Sequence, residues 1–403
     1  MAFDVPAIIV GAGINGLGVA RSLARAKVPA WLLDTDPQRP EMHTRAARPL
    51  AVRALHGDAL IEDLTALVAT RFAGVRPVLL LTQEEAVKTV SQQRDRLSGL
   101  YRFTLPTAAT VEALQHKHGF QCLAEQFAAP IPKLLRVRAV ADLAALGTLR
   151  YPVVVKPGAR DAAYSREFKK AYRADNAAAA DELLRRILPV LPDVVVQEWI
   201  DGPDSNIYFC LQYIDAARRV LASFTGRKVR SWPPQVGGTA SCMSAPDAHA
   251  ELSALTTRFF REAGVIGIAS MEYKRDAASG EFRMVEPTIG RTDYQEEIAT
   301  LNGVNVPFAA YCGELGLPFP APLPKPRARA WHVRSEDVQS AAAQQQDPKS
   351  GFGDAGAVVD ALWRAGDPAP WLVQTRRHIR SAVATRIGHK RRAVPPRPVR
   401  GES

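Results

Sequence analysis

The apolar run Ile8-Ile9-Val10 leads straight into Gly11-Ala-Gly13-Ile-Asn-Gly16. From Gly16 to Ala26 the residues take helical spacing, and a second apolar run, Trp31-Leu32-Leu33, follows. A strand that enters a helix through a glycine turn, with another strand directly after it, opens a right-handed βαβ unit and predicts a parallel sheet. Asp34 ends the second run where a ribose-binding acid would stand, so strand, turn, helix and acid have the order of a dinucleotide fingerprint. The glycines allow a tight turn, a backbone without Cβ that can approach a phosphate, and a helix N-terminus with unpaired N–H groups. Two readings stay open: NAD or FAD held at Gly11, Gly13, Gly16 and Asp34, or an ordinary turn of a doubly wound domain. Downstream, a helix from Asp58 carries Ile61, Leu64, Leu67 and Val68 on one stripe. Val78-Leu79-Leu80-Leu81 reads as a buried strand, and a polar helix is predicted from Glu84 to Arg96. Leu105-Pro106-Thr107 closes the unit, giving a first domain over 1–108.

With 403 residues, 47% of them hydrophobic, the chain has material for two or three cores and is not a disordered protein. The most apolar opening, Pro6 to Ala20, is broken by glycines and Asn15, so no transmembrane helix is expected. Asp4 and the lack of Lys or Arg before Arg21 argue against a secretory signal, and the reading is cytoplasmic. Cys122, Cys210, Cys242 and Cys312 show no CxxC spacing and are expected to be reduced core residues. Of the net charge of +11, residues 371–403 contribute nine Lys and Arg against one Glu, which leaves +3 for the rest. The basicity belongs to a tail, so nucleic-acid binding is not inferred. The histidines form no metal-ligand cluster, and no G-x-S-x-G occurs, so zinc and serine-hydrolase chemistry have no support.

From about Thr110 the pattern turns to α+β. Strands are predicted at Tyr151–Lys156, Val194–Ile200, Asn206–Ile214 and Val220–Thr225, with helices at Ala177–Leu188 and Glu251–Ala263. Ile266–Arg275 and Phe282–Ile289 form a hairpin around Asp276-Ala-Ala-Ser-Gly280, with Met271 and Met284 in the core. Gly237-Gly238-Thr239 reads equally as a loop near a substrate or as a turn. Beyond Leu317, Pro-Phe-Pro-Ala-Pro-Leu-Pro-Lys-Pro is read as an extended linker, and 315–403 as linker plus a basic C-terminal region.

Several segments stand in one telling order: Lys117, then Phe127-Ala-Ala-Pro-Ile-Pro-Lys133, then Tyr151-Pro-Val-Val-Val-Lys-Pro157. Val195-Val-Gln-Glu-Trp-Ile-Asp-Gly-Pro-Asp204 and Glu286-Pro-Thr-Ile-Gly-Arg291 come after them. From Val111 to Tyr311 they resemble the ATP-grasp superfamily, and within it the carboxylate–amine ligases related to D-aspartate ligase. The resemblance implies an α/β and α+β protein, a Rossmann-like pre-ATP-grasp domain followed by a two-lobed ATP-grasp domain over 109–314. It implies ATP and Mg2+ as cofactors and amide-bond formation between a small-molecule carboxylate and an amine through an acyl phosphate, with ADP and phosphate released.

Carried over residue by residue, Lys117 and Lys156 meet the ATP phosphates, as point charges at a helix start and a strand end can. Gln197, Glu198 and Ile200 meet the adenine, and Asp204 the ribose. Glu272 and Glu286 flank the hairpin turn evenly, so an antiparallel ladder sets them close to opposite; like charges so placed repel unless a cation lies between them. The family's Glu-x-Asn-Pro-Arg is altered here: Thr288 replaces the asparagine that supplies a metal oxygen, and Arg291 sits one residue later. Arg291, Lys228 and Arg230 are the cations expected beside the γ-phosphate. Each of these residues also has a plain reading as a solvated strand-end or loop charge. A nicotinamide or flavin oxidoreductase built on the glycine loop remains the alternative, as does a nucleotide-binding protein without turnover. In the tail, Leu372, Ile379, Val383 and Ile387 fall near one stripe among Arg376, Arg377, Arg380 and Arg386. That pattern suits an anionic membrane surface or an acidic protein partner, or equally a C-terminal helix packed on the body.

Overall fold

The structure, a computed structural model, describes residues 3–158, 166–169, 171–320, 328–353 and 355–392, the side chains of 381–392 excepted. Most of the proline-rich linker (321–327) and the last stretch of the basic tail (393–403) lie outside the described residues.

The N-terminal unit holds strands β1 (Ala7–Val10), β2 (Ala30–Asp34), β3 (Arg48–Ala51) and β4 (Val78–Leu81), all parallel, in the order β3-β2-β1-β4. Helices α1 (Gly13–Arg25), α2 (Gly57–Arg71) and α3 (Glu84–Gln92) cover them, and β1 and β4 are buried at every position, as a sheet covered on both faces requires. The single polar helix expected from Glu84 to Arg96 is broken at Gln93, and Arg94–Leu97 forms a separate turn, α4. At the glycine loop, Gly11 has φ +95°, and a Cβ on Gly16 would lie 2.1 Å from the Gly11 carbonyl oxygen. The strand-to-helix turn itself therefore requires both glycines.

Helices α5 (Ala108–Gln115) and α6 (Lys117–Gln126) lead into a small lobe. There β5 (Leu134–Val137), β6 (Val153–Pro157), β7 (Tyr172–Ala174) and β8 (Val194–Glu198) form an antiparallel sheet ordered β5-β8-β6-β7. Helix α7 (Ala177–Ile187) lies on it. The helix starts at an Asn176 cap whose side chain accepts the Ala179 amide, and it buries Ala180, Leu184 and Ile187 in the lobe's own core. Full burial of Leu184 and Ile187 stabilises the lobe by about 2 kcal/mol each.

The larger lobe is a seven-stranded sheet built on β9 (Ile207–Ile214), β10 (Val220–Trp232), β11 (Gly238–Ser244), β12 (Gly267–Arg275) and β13 (Phe282–Ile289). Gly238-Thr239, undecided from sequence, opens β11. Cys210, Met271 and Tyr273 on one face pack under Leu252, Phe259 and Phe260 of α8 (His249–Glu262). Phe209, Leu211 and Tyr213 on the other face meet α9 (Glu297–Leu301) and α10 (Val306–Leu315), and through them the first domain.

The C-terminal region corrects the expected division at 315. Residues 329–361 complete the large sheet: β14 (Arg329–His332) pairs antiparallel with β11, and β15 (Ala357–Asp360) lies parallel beside it. Between them α11 (Arg334–Ala343) packs on β10 and β11. Trp331 is fully buried, and its indole N–H donates to Glu297 at 3.2 Å. The segment ends on the first domain, where buried Asp367 accepts from Arg21, Thr44 and the Arg45 amide before α12 (Ala369–Arg392) begins. Cys122 is exposed rather than core; Cys210, Cys242 and Cys312 are buried thiols. Among the described residues no helix is long and apolar enough to cross a membrane.

Candidate functional site

Where the small lobe faces α5, α6 and β13, a narrow cleft is lined by Lys117, Gln121, Leu134, Lys156, Gln197 and Glu286, among others. Four residues singled out from the sequence thus converge from four separate segments. Lys117 is the first residue of α6, which starts at the break after Gln115; the N-cap His116 ring accepts the His118 amide. Lys156 stands near the end of β6, directly after buried Val155, so the pleat that buries the valine turns the lysine the other way. Its ammonium donates to Gln197 Oε1 at 2.8 Å, across the β6–β8 pair. Gln197 is itself buried, so the pair is a fixed donor set at the cleft wall. Glu198 follows, its carboxylate accepting the Arg150 amide at 2.9 Å, and Ile200 is buried at the start of the connection to the large lobe.

The hairpin register sets Glu272 directly opposite Glu286, and Ser270 opposite Thr288. Glu286 is exposed, whereas Glu272 takes a 2.8 Å ion pair from Lys228, which reaches over from β10. Burial alone would push the Lys228 ammonium down. The contact with Glu272, with Asp293 and Asp204 nearby, outweighs it and holds the pKa above the ordinary lysine value. Lys274, two residues beyond Glu272, donates to the Gly202 and Pro203 carbonyls. Burial leaves its pKa lowered despite Asp204 and Glu272. Arg291 is half-buried and donates to the Thr292 carbonyl at 3.0 Å. Sequence reasoning passed over Asp293, which accepts from Ser270 Oγ at 3.0 Å and belongs to the field around Lys228. Its signal was an acid two residues after Arg291. The carbonyls that Lys274 holds come from a turn some seventy residues away, which no local signal in the sequence announces.

Three assignments are corrected by the geometry. Lys228, 5% exposed and ion-paired to Glu272 at 2.8 Å, is not a free cation beside a γ-phosphate. Arg230 is buried to 1% exposure with its guanidinium fully engaged: Asp337 at 2.7 Å, the Ser350 and Pro348 carbonyls, and the Phe352 ring over it. It ties the sheet to α11 and the loop after it and is not available to a phosphate. Asp204 is 2% exposed, and its two oxygens accept from the Ser231 and Gln235 amides and the Gln344 side chain. It is a strut between the hinge and β10, with no oxygen turned to a ribose. Asp34 of the glycine loop is spent in the same way: it is fully buried, one oxygen taking the Ala12 amide and the other the Asp36 amide beside Arg39. An acid that holds its own loop shut is not presented to a dinucleotide ribose. Among the described residues no group of three or more His, Cys, Asp or Glu side chains is placed to hold a metal ion by itself.

Neither a protein-family model nor a curated protein matches the sequence. Solved structures do. N5-carboxyaminoimidazole ribonucleotide synthetase in its ADP complex superposes with a TM-score of 0.65 at 13% identity, covering 86% of each chain. The biotin carboxylase domain of 2-oxoglutarate carboxylase from Hydrogenobacter thermophilus, solved with MgADP, ADP and bicarbonate, gives 0.62 at 12% identity over 80% of this chain and 72% of that one. L-amino acid ligase from Bacillus licheniformis gives 0.56 at 16% over 80% and 76%. At these identities the likeness is one of fold. The chain shares their fold: a parallel-sheet domain in front, then a small antiparallel lobe and a large seven-stranded one.

Proposed function

We propose that a chain of this fold and donor set is an ATP-dependent carboxylate–amine ligase, an enzyme that forms an amide bond and releases ADP and phosphate. The observation that carries the reading is the convergence of Lys117, Lys156, Gln197 and Glu286 on one cleft between the lobes. Two lysines and an amide lining one cleft suit a polyanion, and two carboxylates directly opposite in register suit a hard dication that takes its remaining ligands from phosphate oxygens. Magnesium bound with the nucleotide supplies charge neutralisation at the transferred phosphoryl group. In this reading Lys117 and Lys156 hold the phosphates, and Gln197 fixes the Lys156 ammonium. The strand end from Glu198 to Ile200 lies along the adenine. Glu272, Glu286 and Thr288 are the oxygen ligands, with Lys228 keeping Glu272 aimed. Arg291 stabilises charge on the phosphoryl oxygens.

The acceptor carboxylate attacks the γ-phosphorus and ADP leaves. The amine then attacks the acyl carbon, phosphate departs, and the nitrogen loses a proton. Within the class, the motif order favours the D-aspartate ligase branch, and the substrates are a small carboxylic acid and an amine in a cytoplasmic setting. The test is an ADP-release screen over amino acids and sugar acids paired with amines, with magnesium present. The reading predicts ADP and an amide product in equal amounts for at least one pair, abolished in Lys156→Ala; release of AMP and pyrophosphate would overturn it.

A further inference from the structure

The first turns of α12 are pinned to the first domain: Asp367 just before the helix is held by Arg21, Thr44 and Arg45, Pro370 is buried, and Arg377 pairs with Asp36 at 3.2 Å. Yet the same stretch leaves large apolar side chains in water. Trp363 is 45% exposed, Trp371 36%, Leu372 42% and Ile379 59%, four of the ten exposed large hydrophobic side chains among the described residues, within seventeen positions. The two indoles meet edge to face at 5.3 Å and form one exposed aromatic knob. Leu372, Arg376 and Ile379 stand at intervals of four and three, so they share one helix face, and Arg380 lies beside them. Arg376 and Arg380 are exposed, and among the described residues no ion pair engages either. From Trp371 onward the chain holds +8 of the total +11, so the positive charge is concentrated on this helix and the residues after it.

We infer that α12 is a docking surface for an anionic lipid bilayer, with Trp371, Leu372 and Ile379 entering the headgroup–acyl boundary and Arg376 and Arg380 on lipid phosphates. The inference is independent of the ligase reading. Two observations select lipid over nucleic acid, and a third sets how the helix lies. Exposed aliphatic side chains among the arginines gain nothing on a phosphodiester backbone but gain burial at a membrane boundary. Tryptophan and arginine are the residues that suit that boundary, one by its amphipathic ring and the other by a long stem with a charged tip. The helix also carries far too much charge to cross a bilayer, so it lies on the surface. Its pinned start fixes the orientation of the body, turning the side that bears α1 and the loop around Asp36 toward the membrane.

The experiment uses the full chain with phosphatidylcholine vesicles, with and without phosphatidylserine, followed by co-sedimentation and tryptophan emission. Binding to the phosphatidylserine vesicles only, reversed by high salt and accompanied by a blue shift, is expected. Arg376→Gln with Arg380→Gln should weaken binding roughly 25-fold, at about fivefold per charge. Leu372→Ser with Ile379→Ser, which keeps every charge, should weaken it at least tenfold; all four positions are exposed, so the fold is retained. No sedimentation with either vesicle, equal binding to both, or a serine variant that binds like the parent would overturn the inference. Tighter binding to duplex DNA or RNA than to the anionic vesicles would also overturn it, in favour of a nucleic-acid tail.

Discussion

Replacing Glu272 by Gln keeps the shape of the side chain and removes one charge from the most constrained ion pair near the cleft. Lys228 is 5% exposed and Glu272 31%, with 2.8 Å between nitrogen and oxygen. Breaking a fully buried pair costs about 3–5 kcal/mol because the remaining charge is stranded. Here Glu272 is partly open to water and Asp293 and Asp204 also act on the ammonium, which reduces the expected loss to roughly 2 kcal/mol. With an unfolding entropy near 2.1 cal/mol/K per residue, a chain of this size unfolding as one unit loses about 2–3 °C of Tm. Lys228→Met strands a carboxylate that water can reach, at about 1 kcal/mol, and the double variant should be less destabilised than the sum by about 1–2 kcal/mol. The pH dependence has a definite sign. A lysine raised on folding contributes its stability below the unfolded value of 10.5 and loses it as pH rises through the higher folded value, so all three variants should converge on wild type only in strongly alkaline solution. Denaturant titration of the four proteins measures this; strictly additive losses would show that Lys228 and Glu272 do not act on each other and would remove the reason for Lys228 at the site.

Lys156→Ala should lower MgATP affinity at least tenfold, as read by calorimetric titration, and lower the melting temperature slightly, because buried Gln197 loses the ammonium that it accepts from; unaltered affinity would contradict the cleft assignment. Glu286→Gln should reduce turnover about a hundredfold and raise the magnesium requirement, and Glu272→Gln should lose stability as well as activity. Fully buried Glu296, on the face of the large lobe that meets α1, is pushed up to about 8 by burial and then by Glu297. Between its ordinary value of 4.5 and about 8 the folded state holds a proton that the unfolded state releases, so stability falls as pH rises, by about 1.4 kcal/mol per pH unit. Glu296→Gln should therefore melt higher than wild type by a margin that grows from pH 5 to 8 and then levels off; a margin independent of pH would show that Glu296 is not protonated in the fold.

The parallel sheet, the glycine turn and the Glu272–Glu286 hairpin were legible because each is a local pattern: an apolar run, a turn residue and an even spacing. Lys117, Lys156 and Gln197 could be marked as a set only through the family resemblance, since nothing local in the sequence says that α6, β6 and β8 face one cleft. Two of the failures, the C-terminal region and Arg230, share one cause. Arg-Ala-Trp-His and Ala-Val-Val-Asp are strands of only four residues, each closed by a charged or polar residue and without alternation, and the run containing them read as tail. Once β14 and α11 join the sheet, Asp337 arrives beside Arg230, and a residue that looked like a free cation at the phosphates becomes a buried strut. Asp204 was misread for the opposite reason: its position after the hinge was right, but an aspartate is short enough for the Ser231 and Gln235 amides to capture it.

The central claim concerns the fate of ATP phosphorus, and phosphorus NMR of the full chain with MgATP, an active carboxylate and its amine, using a carboxylate labelled with oxygen-18, addresses it most directly. Attack by the carboxylate on the γ-phosphorus predicts ADP with inorganic phosphate carrying one labelled oxygen from the acid, formed only when the carboxylate is present. Unlabelled phosphate, or label appearing in AMP, would contradict the acyl-phosphate route and with it the ligase chemistry assigned to Lys117, Lys156, Glu272 and Glu286.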